Sequence, residues 1–277
     1  LSPWEILVSE SQERMTVGVR QNDVEAFEAL AKLHEVEATA VGTFTNSGAF
    51  IVKHGESTVA HLPMDFMHDG CPQLKLESEW TPPVHENPIY PNVDAEGMGS
   101  ILERIMARPN IASKEWWVRQ YDHEVIAQSV IKPFCGVNHD APGDAAVIAP
   151  LHGETRGAVV SCGIVPRYSD IDAYAMTAAS IDEAVRNAVC VGVDLDKIAG
   201  LDNFCWPDPI ESEKTPDGRY KLAQLVRSNR ALDDVCRAYN LPCISGKDSM
   251  KNDAKLDGQK ISIPPTLLYT VLGDHQD

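Results

Sequence analysis

Glu183 and Asn187 sit four residues apart in a stretch, 172–192, that otherwise reads as a helix of alanines and valines. That spacing stacks an anionic and a neutral oxygen donor on one helix face. The pair alone also fits a solvated stripe, but as donors the two make half of a hard-cation site of the Mg2+ type. Upstream, Pro142-Gly143-Asp144 forms a tight turn that puts another carboxylate at the mouth of an apolar strand over 145–149. Downstream, Pro242-Cys243-Ile244-Ser245 is a short apolar strand feeding a turn, Gly246-Lys247-Asp248-Ser249. There backbone N–H groups, an ammonium and a hydroxyl meet in a combination suited to phosphate. Three such segments in one domain point to a nucleotide–metal site.

The elements that must position these residues follow from pattern. A helix opens the chain with Ser2 as N-cap and Pro3 at its first position, followed by a polar loop through Arg14 and a strand over 15–19. A helix capped by Asn22 or Asp23 runs to about 34 with Phe27, Leu30 and Leu33 on one face. Strands over 38–44, 49–54 and 57–62 follow, with turns at 46–48 and 53–56, which together describe an α+β lobe. Prolines 82, 83, 88, 91 and 109 then surround one short helix near 99–107 and mark a linker. The second lobe is expected to hold a helix over 111–117, a strand pair within 118–131, and strands over 145–149 and 157–164. After the central helix come a strand near 198–201 and a proline-rich loop over 202–209. A helix over 219–239 with Leu222, Leu225, Val226, Leu232, Val235 and Cys236 inward, and a strand over 266–272, complete it. The boundaries are therefore 1–80, 81–110 and 111–277.

The chain has 277 residues, 43% hydrophobic and 23% charged, which suits a folded chain of two lobes. Its net charge of −17 repels polyanions and argues against nucleic acid as a partner, while local lysines and Mg2+ still allow a small phosphorylated substrate. Seven cysteines without a C-x-x-C spacing read as reduced thiols in a cytoplasmic protein. No apolar run approaches a membrane span, and the opening at Leu1, in mid-pattern, is expected of a piece of a longer protein.

Five motifs carry a resemblance. Ser9-Glu10-Ser11-Gln12-Glu13-Arg14-Met15, Pro142-Gly143-Asp144-Ala145-Ala146-Val147, Pro166-Arg167-Tyr168, Glu183-x-x-Arg186-Asn187 and Gly246-Lys247-Asp248-Ser249-Met250 occur in this order here. They resemble phosphoribosylformylglycinamidine synthase, the ATP-dependent amidotransferase (a carbon–nitrogen ligase) of purine biosynthesis. The resemblance implies an α+β, mixed α/β fold of AIR-synthetase-like two-lobed modules, with the C-terminal lobe of a first module (1–80) joined to the N-terminal lobe of a second (111–277). It implies that Glu10, Ser11, Gln12 and Ser249 contact formylglycinamide ribonucleotide. Gly246, Lys247 and Asp202 would bind ATP or ADP, and Asp144, Glu183 and Asn187 would ligate Mg2+. No catalytic residue is implied; the family's catalytic histidine would lie elsewhere. Its chemistry is phosphoryl activation of an amide oxygen followed by displacement with ammonia from a glutaminase, so the remaining domains or subunits are the implied partners. Two departures matter. Lys247 stands where shorter enzymes have a metal-contacting asparagine, which exchanges a metal contact for a phosphate contact. Gly200 stands where they have an aspartate ahead of the nucleotide-binding Asn-Phe pair, with Asp202 as a displaced stand-in. The same lobe also fits a purely structural nucleotide scaffold, or another ATP-dependent enzyme of the superfamily.

Overall fold

A computed structural model describes the chain apart from residues 12–13, 91, 121–125, 155 and 276–277 and the side chain of residue 96. It forms two units, Leu1–Lys75 and Leu76–Asp277. In the first, α1 (Pro3–Leu7) starts as expected, with the Ser2 amide and hydroxyl both donating to Glu5 Oε2, at 2.7 and 2.8 Å. Next come α2 (Val24–Leu33), the antiparallel hairpin of β1 (Ala49–His54) and β2 (Ser57–Pro63), and α3 (Met64–Asp69). Gly55, with φ of 61°, makes the hairpin turn. The expected strands over 15–19 and 38–44 do not form. Alternating apolar residues make a strand only where a neighbour completes the ladder, and neither segment has one in this unit. Met15, Val41 and Phe44 are accordingly 89, 88 and 95% exposed, and none of the unit's described residues is buried.

The second unit begins earlier than the pattern suggests. Trp80 stacks on Tyr220 with ring centroids 5.4 Å apart, Arg227 lies 4.4 Å above the Trp80 ring, and Glu77 pairs with Arg219 at 3.0 Å. Residues 76–80, expected with the first lobe, thus pack here. Helix α4 (Ala95–Met106) starts ahead of the expected 99 because Asp94 Oδ1 caps it, accepting from the Gly97 amide at 2.8 Å. Helix α5 (Glu115–Arg119) is a short, shifted version of the helix expected over 111–117. Of the strand pair expected over 118–131, β3 (Ser129–Ile131) is present; residues 121–125 lie outside the described residues. Strands β4 (Phe134–Cys135) and β5 (Ala141–Pro142) form a small ladder before the Asp144 turn.

The core is built on β6 (Ala145–Ile148), β7 (Gly157–Ile164), α6 (Ala173–Cys190), β8 (Val193–Cys205), α7 (Gly218–Ala238), β9 (Cys243–Ser249), the hairpin of β10 (Asp253–Leu256) and β11 (Gln259–Ser262), and β12 (Thr266–His275). The six-stranded sheet has the order β3-β6-β7-β12-β8-β9, antiparallel except for the parallel pair β8 and β9. Leu267, Tyr269 and Val271 of β12 are fully buried, as are Ala173, Met176, Ile181, Ala184 and Ala188 of α6. The small residues of α6 serve close approach. A Cβ on Gly163 would lie 2.1 Å from the Ser180 carbonyl, and Ser161 Oγ donates to Ala184 O at 2.7 Å.

That closeness also shapes the inward face of α7. Opposite a small-residue helix the space goes to Ala223, Gln224, Ser228 and Ala231, all buried, with the Thr177 and Ser228 hydroxyls hydrogen-bonded to each other. Of the expected set Cys236 is buried, Leu225, Leu232 and Val235 are half-buried and packed against the core, Leu222 is half-buried, and Val226 is 38% exposed. Strand β8 is longer than expected and absorbs Asp202–Cys205, residues expected in a loop, because β12 and β9 pair with them on both sides. The loop begins at Trp206, fully buried, with Nε1 donating to Lys221 O at 3.0 Å. Among the described residues no helix is long and apolar enough to cross a membrane.

Candidate functional site

Strand β6 pairs only as far as Ala145 opposite Ser161, while β7 continues through Cys162, Gly163 and Ile164. Helix α6 supplies the edge partners there. The Ile164 amide donates to Glu183 Oε2 at 2.7 Å, and Asn187 Nδ2 donates to the Cys162 carbonyl at 2.9 Å. The i,i+4 pair thus replaces the lost strand neighbour, and Gly163 between the two contacts lets the helix come near enough to do so; a Cβ would meet Glu183 Cβ at 2.9 Å. These bonds leave Glu183 Oε1 and Asn187 Oδ1 as the oxygens available to a cation. Asp144 lies one residue ahead of Ala145, beside the same segment. The Cys162 thiol is pushed up by burial first and then by the Asp144 and Glu183 carboxylates, which puts both within electrostatic reach of one sulfur. Glu183 and Asn187 thus both meet β7 at residues 162–164, and Asp144 precedes the residue paired with Ser161. Two carboxylates and an amide are donors that Mg2+ accepts; among the described residues no group of three or more His, Cys, Asp or Glu side chains forms a metal site.

The residues expected at the nucleotide lie in the same transverse row of the sheet. Gly163 is opposite Tyr269, Tyr269 is opposite Asp202, and Asp202 is opposite Gly246. At about 4.8 Å per strand, β7 and β9 are about 14 Å apart along that row. Gly246 makes room for a protein group: a Cβ there would lie 2.7 Å from Asp202 Oδ1. Burial pushes the Asp202 carboxyl up, its own backbone amide pulls it back, and the Asp248 carboxylate adds to the rise. Lys247 is exposed, in register with Asn203, whose buried Oδ1 has no hydrogen-bond partner. The expected Gly-Lys-Asp-Ser turn is instead the extended end of β9, held straight by pairing of Asp202–Cys205 with Gly246–Ser249. As the sheet's edge strand, β9 still presents alternate backbone N–H groups outward, so phosphate would be met along an edge rather than in a nest. At Gly200 the room for a side chain is taken by packing: a Cβ would lie 1.9 Å from Tyr269 Oη.

Ser249 ends β9 against Asn252, whose amide lies within hydrogen-bond distance of its hydroxyl. In the first unit Glu10 and Ser11 are exposed, the Ser9 and Ser11 hydroxyls are 3.3 Å apart, and Arg14 donates to the Ser9 and Ser11 carbonyls. Gln12 lies outside the described residues. Sequence reasoning missed Cys162, Tyr269 and Asn252. The only signal for Asn252 was its place three residues past Ser249, a spacing typical of side chains that fold back on a turn.

The fold and this site define a protein built of AIR synthase related domains. Residues 142–273 match the AIR synthase related protein N-terminal domain and residues 1–55 match its C-terminal domain. The phosphoribosylformylglycinamidine synthase subunit PurL of Ignicoccus hospitalis is 32% identical over 281 residues, covering 99% of this chain and 36% of that protein. That of Methanopyrus kandleri is 33% identical over 278 residues, with 99 and 35% covered. Among solved structures, Thermotoga maritima PurL complexed with ADP superposes with a TM-score of 0.64 at 24% identity, covering 99% of this chain and 40% of that one. The same protein complexed with FGAR gives 0.63 at 23%, with 99 and 38% covered. The chain is similar over nearly its whole length to these phosphoribosylformylglycinamidine synthase subunits and spans about a third of the length of the curated relatives it matches.

Proposed function

We propose that this chain forms part of a cytoplasmic, ATP-dependent phosphoribosylformylglycinamidine synthase. That enzyme converts formylglycinamide ribonucleotide, glutamine, ATP and water to the formylglycinamidine ribonucleotide, ADP, phosphate and glutamate. In this reading the first unit, 1–75 of the expected 1–80, belongs to a first module's C-terminal lobe, and the expected linker 81–110 leads into 111–277, the N-terminal lobe of a second module. Asp144, Glu183 and Asn187 hold Mg2+, Gly246, Lys247 and Asp202 contact the nucleotide, and Glu10, Ser11, Gln12 and Ser249 contact the substrate. The glutaminase and the other lobes are partners supplied from outside these residues.

The observation that carries the reading is the transverse row from Gly163 to Gly246, which sets an oxygen-donor cluster and an edge strand bearing Lys247 about 14 Å apart on one sheet, a span a nucleotide can bridge. The electrostatics fit the same picture. Asp202 and Asp248 flank Lys247, so a polyphosphate arriving here needs a cation to neutralise it, which is the chemistry Mg2+ supplies when bound. The test is exchange of labelled ADP in the complete synthase carrying this chain, wild type against Lys247→Ala. Nucleotide that exchanges during turnover and is weakened by the substitution supports a working site. Nucleotide that stays bound through many turnovers makes the lobe a structural scaffold, and nucleotide indifferent to Lys247→Ala removes β9 from the site.

A further inference from the structure

Ser249 occupies a corner whose backbone is fixed from several sides. The Trp206 amide donates to Ser249 O at 2.8 Å, the Asn252 amide to Trp206 O at 3.0 Å, and the Ile263 amide to Asn252 O at 3.4 Å. Lys251 turns the corner with φ of 60°, and the Asp253 amide closes on Lys251 O at 2.8 Å. Below it, the Asp253 carboxylate accepts from the Asp208 amide at 3.1 Å and pairs with Lys260 at 3.4 Å. From this anchored position Asn252 turns its side chain back onto the serine. Its Nδ2 lies 2.7 Å from Ser249 O and 2.9 Å from Ser249 Oγ, and its Oδ1 lies 3.1 Å from the same hydroxyl. One amide therefore grips both oxygens of one residue.

A serine hydroxyl has one hydrogen to give and two lone pairs to fill. With Asn252 Nδ2–H donating into Oγ, one lone pair is satisfied and the hydroxyl hydrogen is left to be given elsewhere, as a stronger donor for being a link in a chain. Without a ligand that hydrogen can rest on Asn252 Oδ1; when an acceptor arrives only the hydrogen rotates, and no heavy atom has to move. The groups that suit such a donor are those that can only accept, above all the oxygens of a phosphate.

We propose that Asn252 is a positioning residue that holds the Ser249 hydroxyl as a ready donor to an acceptor-only oxygen of the phosphorylated substrate. The role rests on the reading of Ser249 as a substrate contact, and the experiment separates the two. In the complete synthase carrying this chain, kcat and KM for formylglycinamide ribonucleotide are measured for wild type, Ser249→Ala, Asn252→Ala, the double variant and Asn252→Asp, with thermal melts alongside. Each single alanine variant is expected to raise KM about ten-fold, the loss of one hydrogen bond to a charged group, with kcat little changed. The double variant is expected to be no worse than Ser249→Ala alone, because Asn252 acts only through the serine. Asn252→Asp keeps the volume but can only accept, so it draws the hydroxyl hydrogen to itself and raises KM at least as far; it carries the test if Asn252→Ala melts below the assay temperature. Ser249→Ala effective with Asn252→Ala silent, or losses that multiply in the double variant, overturn the positioning role and leave the serine contact standing. A silent Ser249→Ala overturns both.

Discussion

At the scale of single residues, Glu183 completes the sheet edge, and the proposed function gives it a second, separable duty to a cation. Glu183→Ala leaves the Ile164 amide at the end of β7 without its acceptor and is expected to cost about 1–3 kcal/mol, read by urea denaturation. Glu183→Gln keeps an oxygen for that amide and removes the charge, so stability is expected to hold within about 0.5 kcal/mol while Mg2+-dependent nucleotide affinity falls. Equal stability losses in the two variants would contradict the edge role. The paired thiols Cys236 and Cys243, 3.9 Å apart, differ in the same way by environment. Burial pushes the Cys236 thiol up to about 11, a hydrogen bond from Tyr269 offsetting part of the rise and Cys243 adding to it, whereas Cys243 is exposed. The thiolate is the reactive form, so at pH 8 iodoacetamide is expected to label Cys243 and leave Cys236, which should react only as the pH approaches its raised value or the chain unfolds. Similar rates for both at pH 8, by peptide mass mapping, would show that Cys236 is not protected. The shared helix face of Glu183 and Asn187 was legible in the sequence because a helical period is a local fact. The surroundings of Cys162 were not, because they come from segments far apart in the chain, and Asn252 was not, because the corner that turns it onto Ser249 is held by the distant Trp206 and Ile263.

At the scale of elements, one glycine decides how closely α6 approaches β7. Gly163→Ala places a Cβ 2.1 Å from Ser180 O and 2.7 Å from Ala184 N, backbone atoms that cannot give way alone. A loss of about 1–3 kcal/mol or more is expected, with α6 pushed off β7 and both the Ile164–Glu183 and Cys162–Asn187 bonds lengthened in a crystal structure of the variant. A variant as stable as wild type would show that the helix approach is looser than described. β7, α6 and the hairpin β1–β2 were readable because each carries its own period and turn residues. The segments over 15–19 and 38–44 carried the same alternation yet stay unpaired, and Asp202–Cys205 looked too polar for a core strand yet lies between β8's two neighbours. Strand formation depends on partners as much as on pattern, and partners are not written in the strand itself. On α7 the expected Leu225, Leu232, Val235 and Cys236 do reach the core, but size complementarity to α6 also buries Ser228 and leaves Val226 exposed.

At the scale of the whole chain, the two units differ in how much they bury. The second has a continuous core from Val147 to Val271, while the first buries none of its described residues. Amide hydrogen exchange is therefore expected to be slow in β7, β8 and β12 and orders of magnitude faster throughout Leu1–Lys75; comparable protection would contradict this division. A chain spanning about a third of its relatives is also expected to show no ligation turnover by itself with substrate, ATP, Mg2+ and ammonia, and measurable turnover would require a complete active centre within it. The central claim is that Asp144, Glu183 and Asn187 form the metal end of a nucleotide site. It is tested most directly by calorimetric titration of this protein with ADP, with and without Mg2+, comparing wild type with Asp144→Asn. The expected result is an affinity that rises with Mg2+ in wild type, and an Asp144→Asn variant that keeps the Mg2+-free affinity and loses the rise; a variant that keeps the full Mg2+ dependence would contradict the assignment.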